Sequence, residues 1–444
     1  MSLRREAESE SGLAADDLRE SWRLLTPEDR SEAFLDLPRP EAEDLFLELS
    51  SRDPYDLVHA MPPEQRRSWM RLLAPDDAAD LVQGAAEDER EALLALLDEQ
   101  TRREVMALLA YAEDEAGGLM NPRYANVRAD VNVDEAISYL RKQAREKLEN
   151  VYYVYVNDAD RRLVGVVSLR ELFAAPSDRT VRDIMSTDLV TARPDMDQEE
   201  LSRLFAAHDL QAIPVVDAHG RMQGIVTVDD IVDVLREEAT EDIQKIGGTE
   251  ALGAPYLQVS LVEMVRKRVG WLAALFISEM LTTTAMAHFE AEITRAVVLA
   301  VFIPLIISSG GNSGSQATTL VIRAMALGEV RLRDWWIVIR RELASGFGMG
   351  IVLGAIGFSR VILWQILFKS YGQHYLLVAS TIGASVIGVV TWGTLAGSML
   401  PFMLRRVGLD PASASAPFVA TLVDVTGIVI YFTIASMILR GALL

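Results

Sequence analysis

A single carboxylate stands inside an otherwise apolar stretch near the end of the chain. Between Ala412 and Leu439 the only ionisable side chains are those of Asp424 and Tyr431. An acidic side chain near the middle of a bilayer costs at least about 2.5 kcal/mol unless it faces water, an ion or a polar partner. Asp424 is therefore expected to face a route for ions. The alternative is a carboxyl group that is protonated, or hydrogen-bonded to a neighbouring helix for packing.

Small and polar residues flank this aspartate and favour the same interpretation. Thr421 is predicted to line the route. Gly427 would let a second helix approach closely. Pro417 has no amide hydrogen, so it leaves a carbonyl one turn back free to meet a cation or its hydration water.

A second polar stretch, SSGGNSGSQATT from 308 to 319, is too rich in glycine and hydroxyl groups for a helix that faces lipid. It is predicted to be broken or closely packed. Asn312 and Gln316 are candidates for lining a hydrated vestibule, and close packing of small residues is the equally weighted alternative. Glu279 is a second acid within apolar sequence.

The charge of the chain divides it into two parts. At 444 residues the chain is too long for one ordinary domain. Residues 1–260 carry a net charge of −26, whereas residues 261–444 carry +5. A surface this acidic repels nucleic acid, so nucleic acid is not expected as a partner. The same surface favours the binding of cations, which would screen its charge. Solubility is the simpler explanation for most of these acids.

Several kinds of chemistry are excluded by composition. The chain has no cysteine, and its five histidines are scattered without ligand spacing, so thiolate, zinc and copper sites have no ligand set. No nucleophile–base pair or phosphate-binding loop is present, and no enzymatic activity is predicted. The first residues, MSLRREAESESG, contain no apolar run typical of a signal peptide, so the N-terminal part is expected in the cytosol.

Residues 13 to about 115 are predicted to form short helices only. The phrases LLTPEDR, AMPPEQR and LLAPDDA each place a proline and acidic residues at a helix start, where they complement the helix dipole. The recurrence indicates an α-helical superhelix with a regulatory or packing role.

A different repeat follows. RLVGVVSLREL, from 162 to 172, is echoed by RMQGIVTVDDI, from 221 to 231. Each copy is predicted to hold an opening strand, a helix, two strands joined by a turn and a closing helix. The pair resembles a tandem of cystathionine-β-synthase (CBS) domains over about 118–238. Such tandems bind adenosine nucleotides, and Thr227 and Asp230 match the T-x-x-D phrase that contacts them, so the resemblance implies ATP as a ligand.

Apolar segments long enough to cross a bilayer fill the last part of the chain. They cover residues 269–287, 296–321, 337–368, 376–404 and 417–439. Basic residues concentrate in the loops after the second and fourth segments, so the positive-inside rule places the acidic part in the cytosol and the C-terminus outside. Arg360, inside the third segment, is expected to reach the interface or to be paired.

Two long motifs in the membrane part resemble those of a known family. GGNSGSQATTLVIRAMALGEV (310–330) and PFVATLVDVTGIVIYF (417–432), after a helical region and a CBS tandem, resemble the MgtE family of magnesium channels and transporters. The resemblance implies a bacterial plasma-membrane homodimer with a pore on its two-fold axis. It implies that Asp424, with the Ala420 carbonyl beside it, holds hydrated Mg2+. It also implies Mg2+-sensing acids at Asp76, Glu199, Asp209, Asp230, Asp233, Glu238, Glu241 and Asp242.

The predicted fold is that of a multi-domain membrane protein with a superhelical α-helical N-terminal domain, an α/β CBS tandem, a connecting helix and a five-span α-helical membrane domain. Its predicted parts are a helical domain at 1–117, CBS copies at 118–179 and 180–242, a connecting or plug helix at 243–265, and a membrane domain at 266–444. Within the connecting part, residues 249–260 are expected to be looser, and the helix is expected to resume over 262–269. The predicted function is Mg2+ uptake, gated by Mg2+ that binds to the acidic cytosolic domains.

Other functions fit these residues less well or equally well. Mg2+ is usually held through its waters by one or two carboxylates, which fits one aspartate per subunit. A coupled secondary transporter for Mg2+ or Co2+ fits the same residues and stays open. An intramembrane aspartyl protease needs two facing carboxylates, and Asp424 is the only aspartate in the apolar segments. A chloride channel is disfavoured by an acidic pathway.

Overall fold

A computed structural model of the protein describes residues 15–22, 25–49, 52–144, 148, 150–253, 256–257 and 259–440. The chain forms two compact units, Met1–Glu238 and Ala239–Leu444. The start of the predicted helical domain and the last four residues of the chain lie outside the described residues.

Short helices form the first half of the N-terminal unit. They are α1 (Pro27–Asp36), α2 (Arg39–Glu48), α3 (Arg52–Ala60), α4 (Pro63–Met70), α5 (Pro75–Gly84), α6 (Glu87–Leu94), α7 (Glu99–Leu108) and α8 (Ala116–Leu119). Helices α1, α4 and α5 begin at the prolines of the repeated phrases, because proline already has a helical φ and the first helical residue needs no amide donor. The predicted helix starts are confirmed.

Aromatic side chains hold these helices together. The ring centre of Trp69 lies 5.1 Å from that of Phe34 and 5.0 Å from that of Phe46. The same apolar core continues into the second CBS copy through Leu201 and Ile213. The helical region and that copy therefore share one interior.

The CBS pair follows in the same unit. Copy 1 holds β1 (Tyr124–Arg128), α9 (Val133–Gln143), β2 (Asn150–Asn157), β3 (Leu163–Ser168), α10 (Leu169–Ala174) and α11 (Val181–Ile184). Its sheet has the order β1-β2-β3, with β1 parallel and β3 antiparallel to β2. Copy 2 holds α12 (Gln198–His208), the antiparallel pair β4 (Ala212–Val216) and β5 (Met222–Thr227), and the start of α13 (Val228–Ile246).

The predicted opening strand of copy 2 is reduced to one parallel bridge between Ala192 and Val215. Pro194 follows shortly after and has no amide with which to extend the pairing. Its carbonyl instead accepts a hydrogen bond from the amide of Gly117 at 2.9 Å. The strand is short because the chain turns toward the helical region at this point.

Long helices form the second unit. They are α14 (Leu261–His288), the short α15 (Glu290–Arg295) and α16 (Val297–Ala300), α17 (Ile303–Ala326), α18 (Trp335–Phe368), α19 (Tyr375–Arg406) and α20 (Ala416–Leu439). Within the described ranges, five segments are long and apolar enough to cross a membrane: α14, α16 with α17, α18 with the turn before it, α19 and α20. The predicted five-span architecture is confirmed.

The predicted connecting helix from 243 to 265 is interrupted. Helix α13 ends at Ile246, and α14 begins only at Leu261, after the N-cap Ser260. Gly248 has a φ of +76°, the left-handed conformation in which glycine commonly ends a helix. Two helices therefore occupy the ends of the predicted 243–265 helix. The described residues between them are not helical.

Backbone contact joins α17 to α19. A Cβ atom on Gly393 would lie 2.4 Å from the carbonyl oxygen of Gly310, and one on Gly397 would lie 2.2 Å from the carbonyl oxygen of Gly314. The hydroxyl of Thr318 donates to the carbonyl of Gly397 at 2.8 Å. The stretch from 308 to 319 is therefore closely packed and unbroken, since small residues let helix backbones touch.

Replacing Gly393 with alanine is expected to lower the melting temperature of the detergent-solubilised full chain. The added methyl group would meet a backbone oxygen that cannot rotate away, and overpacking of this kind costs about 1–3 kcal/mol. Gly348→Ala, where the new methyl group would meet nothing within 4 Å, is the control and should leave the melting temperature unchanged or slightly raised. Equal melting temperatures for the two variants would contradict the backbone contact.

Candidate ion pathway and acidic cluster

Asp424 lies on α20 beside a glycine of α17. The side chain is half-buried. A Cβ atom on Gly311 would lie 3.8 Å from Oδ1 of Asp424 and 3.4 Å from the Cβ atom of Ala420. Within the part of the chain that the structure describes, the Asp424 carboxylate has no hydrogen-bond or ion-pair partner. The arrangement favours a route for ions over a carboxylate that is held by a neighbouring helix.

A polar stripe runs along α17 next to this site. Ser308, Asn312 and Gln316 follow one another at intervals of four residues, which places them on one helix face, and all three are exposed. The Nδ2 atom of Asn312 donates to Oγ of Ser308 at 3.4 Å. Because polar side chains facing lipid are costly, this stripe requires water or a second protein surface.

The other residues predicted to line the pathway occupy different positions on α20. Ala420 shares a face with Asp424, four residues away. Thr421 is buried, and its hydroxyl donates to the carbonyl of Pro417 at 2.9 Å. Gly427 is buried with Val389 3.2 Å from where its Cβ would be, so this glycine permits the close helix approach inferred from sequence. Their roles in lining remain predictions.

Lys245, near the end of α13, is tied to the loop that precedes α20. Its Nζ atom lies 2.7 Å from Oδ2 of Asp410 and 2.5 Å from Oε1 of Glu241. Partial burial opposes the charge, but the hydrogen bonds to Asp410 and Glu241 outweigh it and raise the pKa of Lys245. The lysine is therefore charged, and it joins the predicted sensor acid Glu241 to the membrane unit.

The chain just after α13 also packs at the start of α20. Ile246 packs against an apolar cluster that includes Ile322 and Ala412. A Cβ atom on Gly248 would lie 2.9 Å from the Trp271 ring and 3.3 Å from Cγ of Pro417. The ion pair thus holds the end of α13 against the loop before α20, and the segment that follows α13 packs on the first residues of α20.

Carboxylates gather in a crevice of the N-terminal unit. Burial, followed by repulsion from the nearby acids Glu113, Asp77 and Asp230, raises the pKa of Asp80 to about 8. Burial also raises the pKa of Asp230 to about 7, although the hydroxyl of Thr227 donates to this carboxylate at 2.7 Å and opposes the shift. Both side chains retain partial exposure, so water and small ions can reach them.

Asp76, one turn before Asp80, is held differently. Its side chain is buried, and Oδ1 accepts a hydrogen bond from Nδ2 of Asn121 at 3.1 Å. This contact joins α5 to the segment that precedes β1. In the structure Asp76 links the helical region to the CBS pair.

The remaining predicted sensor acids are dispersed. Glu199 pairs with Arg203 at 2.6 Å, Asp233 pairs with Arg236 at 3.2 Å, Glu238 accepts from Gln198 at 2.5 Å, Asp209 is exposed at the end of α12, and Asp242 is half-buried on α13. Among the described residues, no three His, Asp or Glu side chains are grouped so that they could hold a metal ion. Of the predicted acids, Asp230 raises the pKa of Asp80 directly. Asp233 and Glu238 act on the same group through Glu237, whose pKa is raised by burial, by Glu113 and by these two acids.

Sequence reasoning missed Asp80, Asp77 and Glu113. A signal was present, since Asp77 and Asp80 stand three residues apart and therefore share a helix face. Acids are common near helix starts, where they complement the helix dipole, so this signal is weak. The third acid comes from a loop, and only the fold brings it near.

These features define a polytopic α-helical membrane protein that carries a helical domain and a CBS pair. Family profiles match three parts of the chain: the MgtE intracellular N domain over residues 13–114, the CBS domain over 116–178 and 181–237, and the MgtE divalent cation transporter over 303–434. The magnesium transporter MgtE of Thermus thermophilus is 42% identical over 351 residues, 79% of this chain and 76% of that protein. The chain belongs to the MgtE family of divalent cation transporters.

Two further comparisons were found. The magnesium transporter MgtE of Enterococcus faecalis is 34% identical over 337 residues, 76% of this chain and 72% of that protein. A crystal structure of the cytosolic domain of the Mg2+ channel MgtE in complex with ATP is 39% identical and covers 52% of this chain and 98% of that one, with a TM-score of 0.47.

Replacing Asp80 with asparagine is expected to stabilise the protein by an amount that grows with pH. Folding raises the pKa of Asp80 from about 4 to about 8, so the unfolded chain releases a proton that the folded chain keeps. The contribution of Asp80 to stability is therefore largest below about pH 4 and is lost as the pH rises to about 8. Calorimetric unfolding of the full chain with chelator, from pH 4 to 8, measures the difference.

The exposed Asp188, in the second CBS copy and outside the cluster, provides the control for this experiment. Asp188→Asn removes one negative charge from that copy and leaves the cluster intact. Parallel pH profiles for the two variants would show that general charge reduction, not the crevice, sets the dependence.

Proposed function

We propose that the protein forms a Mg2+-selective channel for uptake and that Mg2+ binding to its acidic N-terminal unit closes it. The observation that carries this proposal is the Asp424 carboxylate, which is half-buried, beside a glycine backbone and without a partner among the described residues. Mg2+ keeps most of its waters and is usually held by one or two carboxylates. The relatives named as magnesium transporters support the identity of the ion.

A homodimer completes the pathway in this proposal. Two copies would place two Asp424 carboxylates across a two-fold axis and cover the exposed stripe of Ser308, Asn312 and Gln316. The basic loops after the second and fourth spans support an orientation with the N-terminal unit in the cytosol and the C-terminus outside. Under that orientation the Lys245 segment lies at the cytosolic mouth.

Gating follows from the electrostatics of the crevice. Near neutral pH the carboxylates of Glu113, Asp77 and Asp230 oppose the ionisation of Asp80, and Asp77 opposes that of Asp230. A divalent cation would replace this repulsion by attraction and favour a closed crevice. Several such ions supply the few kcal/mol that a population switch between closed and open states needs. Helix α13 runs from Asp230 to the Lys245 contact, which makes it the element proposed to pass on the change.

A coupled secondary transporter is the alternative mechanism for the same residues. It would require a second ion gradient, whereas a channel requires only the gradient of Mg2+. Mg2+ entry into liposomes in the absence of Na+ and proton gradients separates the two. The ion pathway at Asp424 is common to both.

An adenine nucleotide is the second ligand proposed for the CBS pair. Thr227 is buried and bonded to Asp230, and together they form the T-x-x-D phrase at the start of α13. Nucleotide binding there would hold the N-terminus of α13, where the helix dipole favours phosphate groups. Asp230 also belongs to the crevice cluster, so the two ligands would affect each other.

Asp424→Ala is expected to reduce Mg2+ influx into liposomes to the level of protein-free vesicles. The variant removes the charged oxygen atoms that hold the waters of the ion. Asp424→Asn keeps the shape and oxygen but not the charge, and it should retain a small influx. A fluorescent Mg2+ indicator inside the liposomes measures the rate.

Glu329→Gln, at an exposed site after α17, is the matched control and should conduct like the parent. Size-exclusion chromatography checks that each variant keeps the oligomeric state of the parent. Parental influx in both Asp424 variants would remove this aspartate from the pathway.

Lys245→Met is expected to raise the Mg2+ concentration that closes the channel by about two- to fivefold. The ion pair with Asp410 is partly exposed, and such pairs contribute about 0.5–1 kcal/mol. Lys245→Arg keeps the charge and should close near the parental concentration. Influx measured against Mg2+ on the cytosolic side gives the closing concentration.

The reciprocal variant Asp410→Asn should shift closure by a similar amount. If the pair itself is responsible, the double variant adds little to either single change. Two independent, additive shifts would show that Lys245 and Asp410 act separately. They would reject a role of the Lys245–Asp410 ion pair in closure.

A further inference from the structure

Arg360 lies at the edge of the apolar layer. It follows Arg341 on α18 by 19 residues (360 minus 341), which at about 1.5 Å per residue is about 28 Å. The hydrocarbon core of a bilayer is about 30 Å thick. The only charged side chain between the two arginines is that of Glu342, directly after Arg341. With Arg341 at one surface, Arg360 therefore lies near the far edge of the hydrocarbon core, from where its long side chain can reach the lipid headgroups.

The guanidinium of Arg360 is held in place without a counter-charge. Its central carbon lies 3.5 Å from the centre of the Trp364 ring, and Nη1 donates to the hydroxyl of Tyr371 at 3.5 Å. In the described part of the chain, no carboxylate pairs with it. A guanidinium has five N–H donors. Apart from the bond to Tyr371, these donors have no acceptor among the described residues.

An open, shallow groove of about 780 Å3 lies beside this arginine, and all of its lining residues belong to α18. Its apolar walls include Ile356, toward the middle of the membrane, and Ile366, toward the end of α18. Both isoleucines are more than half exposed, at 61% and 70%. The groove thus combines one fixed cation with an apolar strip of the α18 surface that leads away from it into the apolar layer.

We propose that this groove binds an anionic phospholipid, with the phosphate on Arg360 and an acyl chain along Ile356. Arginine and phosphate form two parallel charge-assisted hydrogen bonds, which lysine cannot reproduce. Trp364 prearranges the guanidinium, and tryptophan is common at this depth of a membrane. The reach of the Arg360 side chain matches the depth of a lipid phosphate, and the apolar wall matches the chain attached to it. The site is separate from the ion pathway.

Native mass spectrometry of the full chain tests the proposal. The parent, incubated with phosphatidylglycerol or phosphatidylcholine in mild detergent, should retain phosphatidylglycerol selectively. Arg360→Gln should weaken that retention about tenfold, the usual effect of losing a charge-assisted hydrogen bond. Arg360→Lys should fall between the two. Lys369→Gln removes a cation from the same membrane surface outside the groove and should bind like the parent.

Other outcomes overturn the proposal. Equal losses in Arg360→Gln and Lys369→Gln would show diffuse attraction to the surface. Unchanged lipid retention together with fewer dimers in Arg360→Gln would make the groove an interface with a second copy. If Arg360→Gln does not fold, Trp364→Leu, which keeps the charge but releases the guanidinium, decides: parental selectivity in that variant rejects the site.

Discussion

The cost of leaving polar groups in an apolar layer governs the membrane unit. A carboxylate there needs water or a cation, and a backbone needs its own hydrogen bonds. Glycines at 310, 314, 393 and 397 let α17 and α19 touch backbone to backbone, and Thr318 fills its hydrogen-bonding capacity across that contact. The close contact fixes α17 so that Gly311 passes Asp424 without covering it. Packing on one face of α17 thus leaves the polar face with Ser308, Asn312 and Gln316 exposed.

In the N-terminal unit, carboxylates are partly buried close to one another. Asp230 comes from a different domain than Asp80, yet it raises the pKa of Asp80 in a crevice that water can reach. Such an arrangement stores repulsion that only a cation or a proton relieves. Asp76 is the exception, since its bond to Asn121 gives it a structural place between the helical region and the CBS pair.

Which acids matter was only partly readable from sequence. Asp424 stands out because a lone charge in an apolar run needs no knowledge of its neighbours to be unusual. Asp80 and Glu113 do not stand out, since each is one acid among many until the fold places them together. The sequence also did not show which residues of α20 share the face of Asp424. Thr421 and Gly427 are near Asp424 in sequence, but the Thr421 hydroxyl donates to the Pro417 carbonyl, and Gly427 packs against Val389.

Local chemistry was enough to place the elements. Hydrophobic length determined the five spans, proline determined helix starts such as Pro63 and Pro75, and repeated phrases revealed the two CBS copies. Tertiary structure alone decided the single bridge in place of a strand at Ala192 and the pairing of Lys245 with Asp410 across 165 residues. The physical reason is range: propensity and length act within a segment, whereas ion pairs, shared burial and backbone contact depend on partners that sequence spacing does not specify.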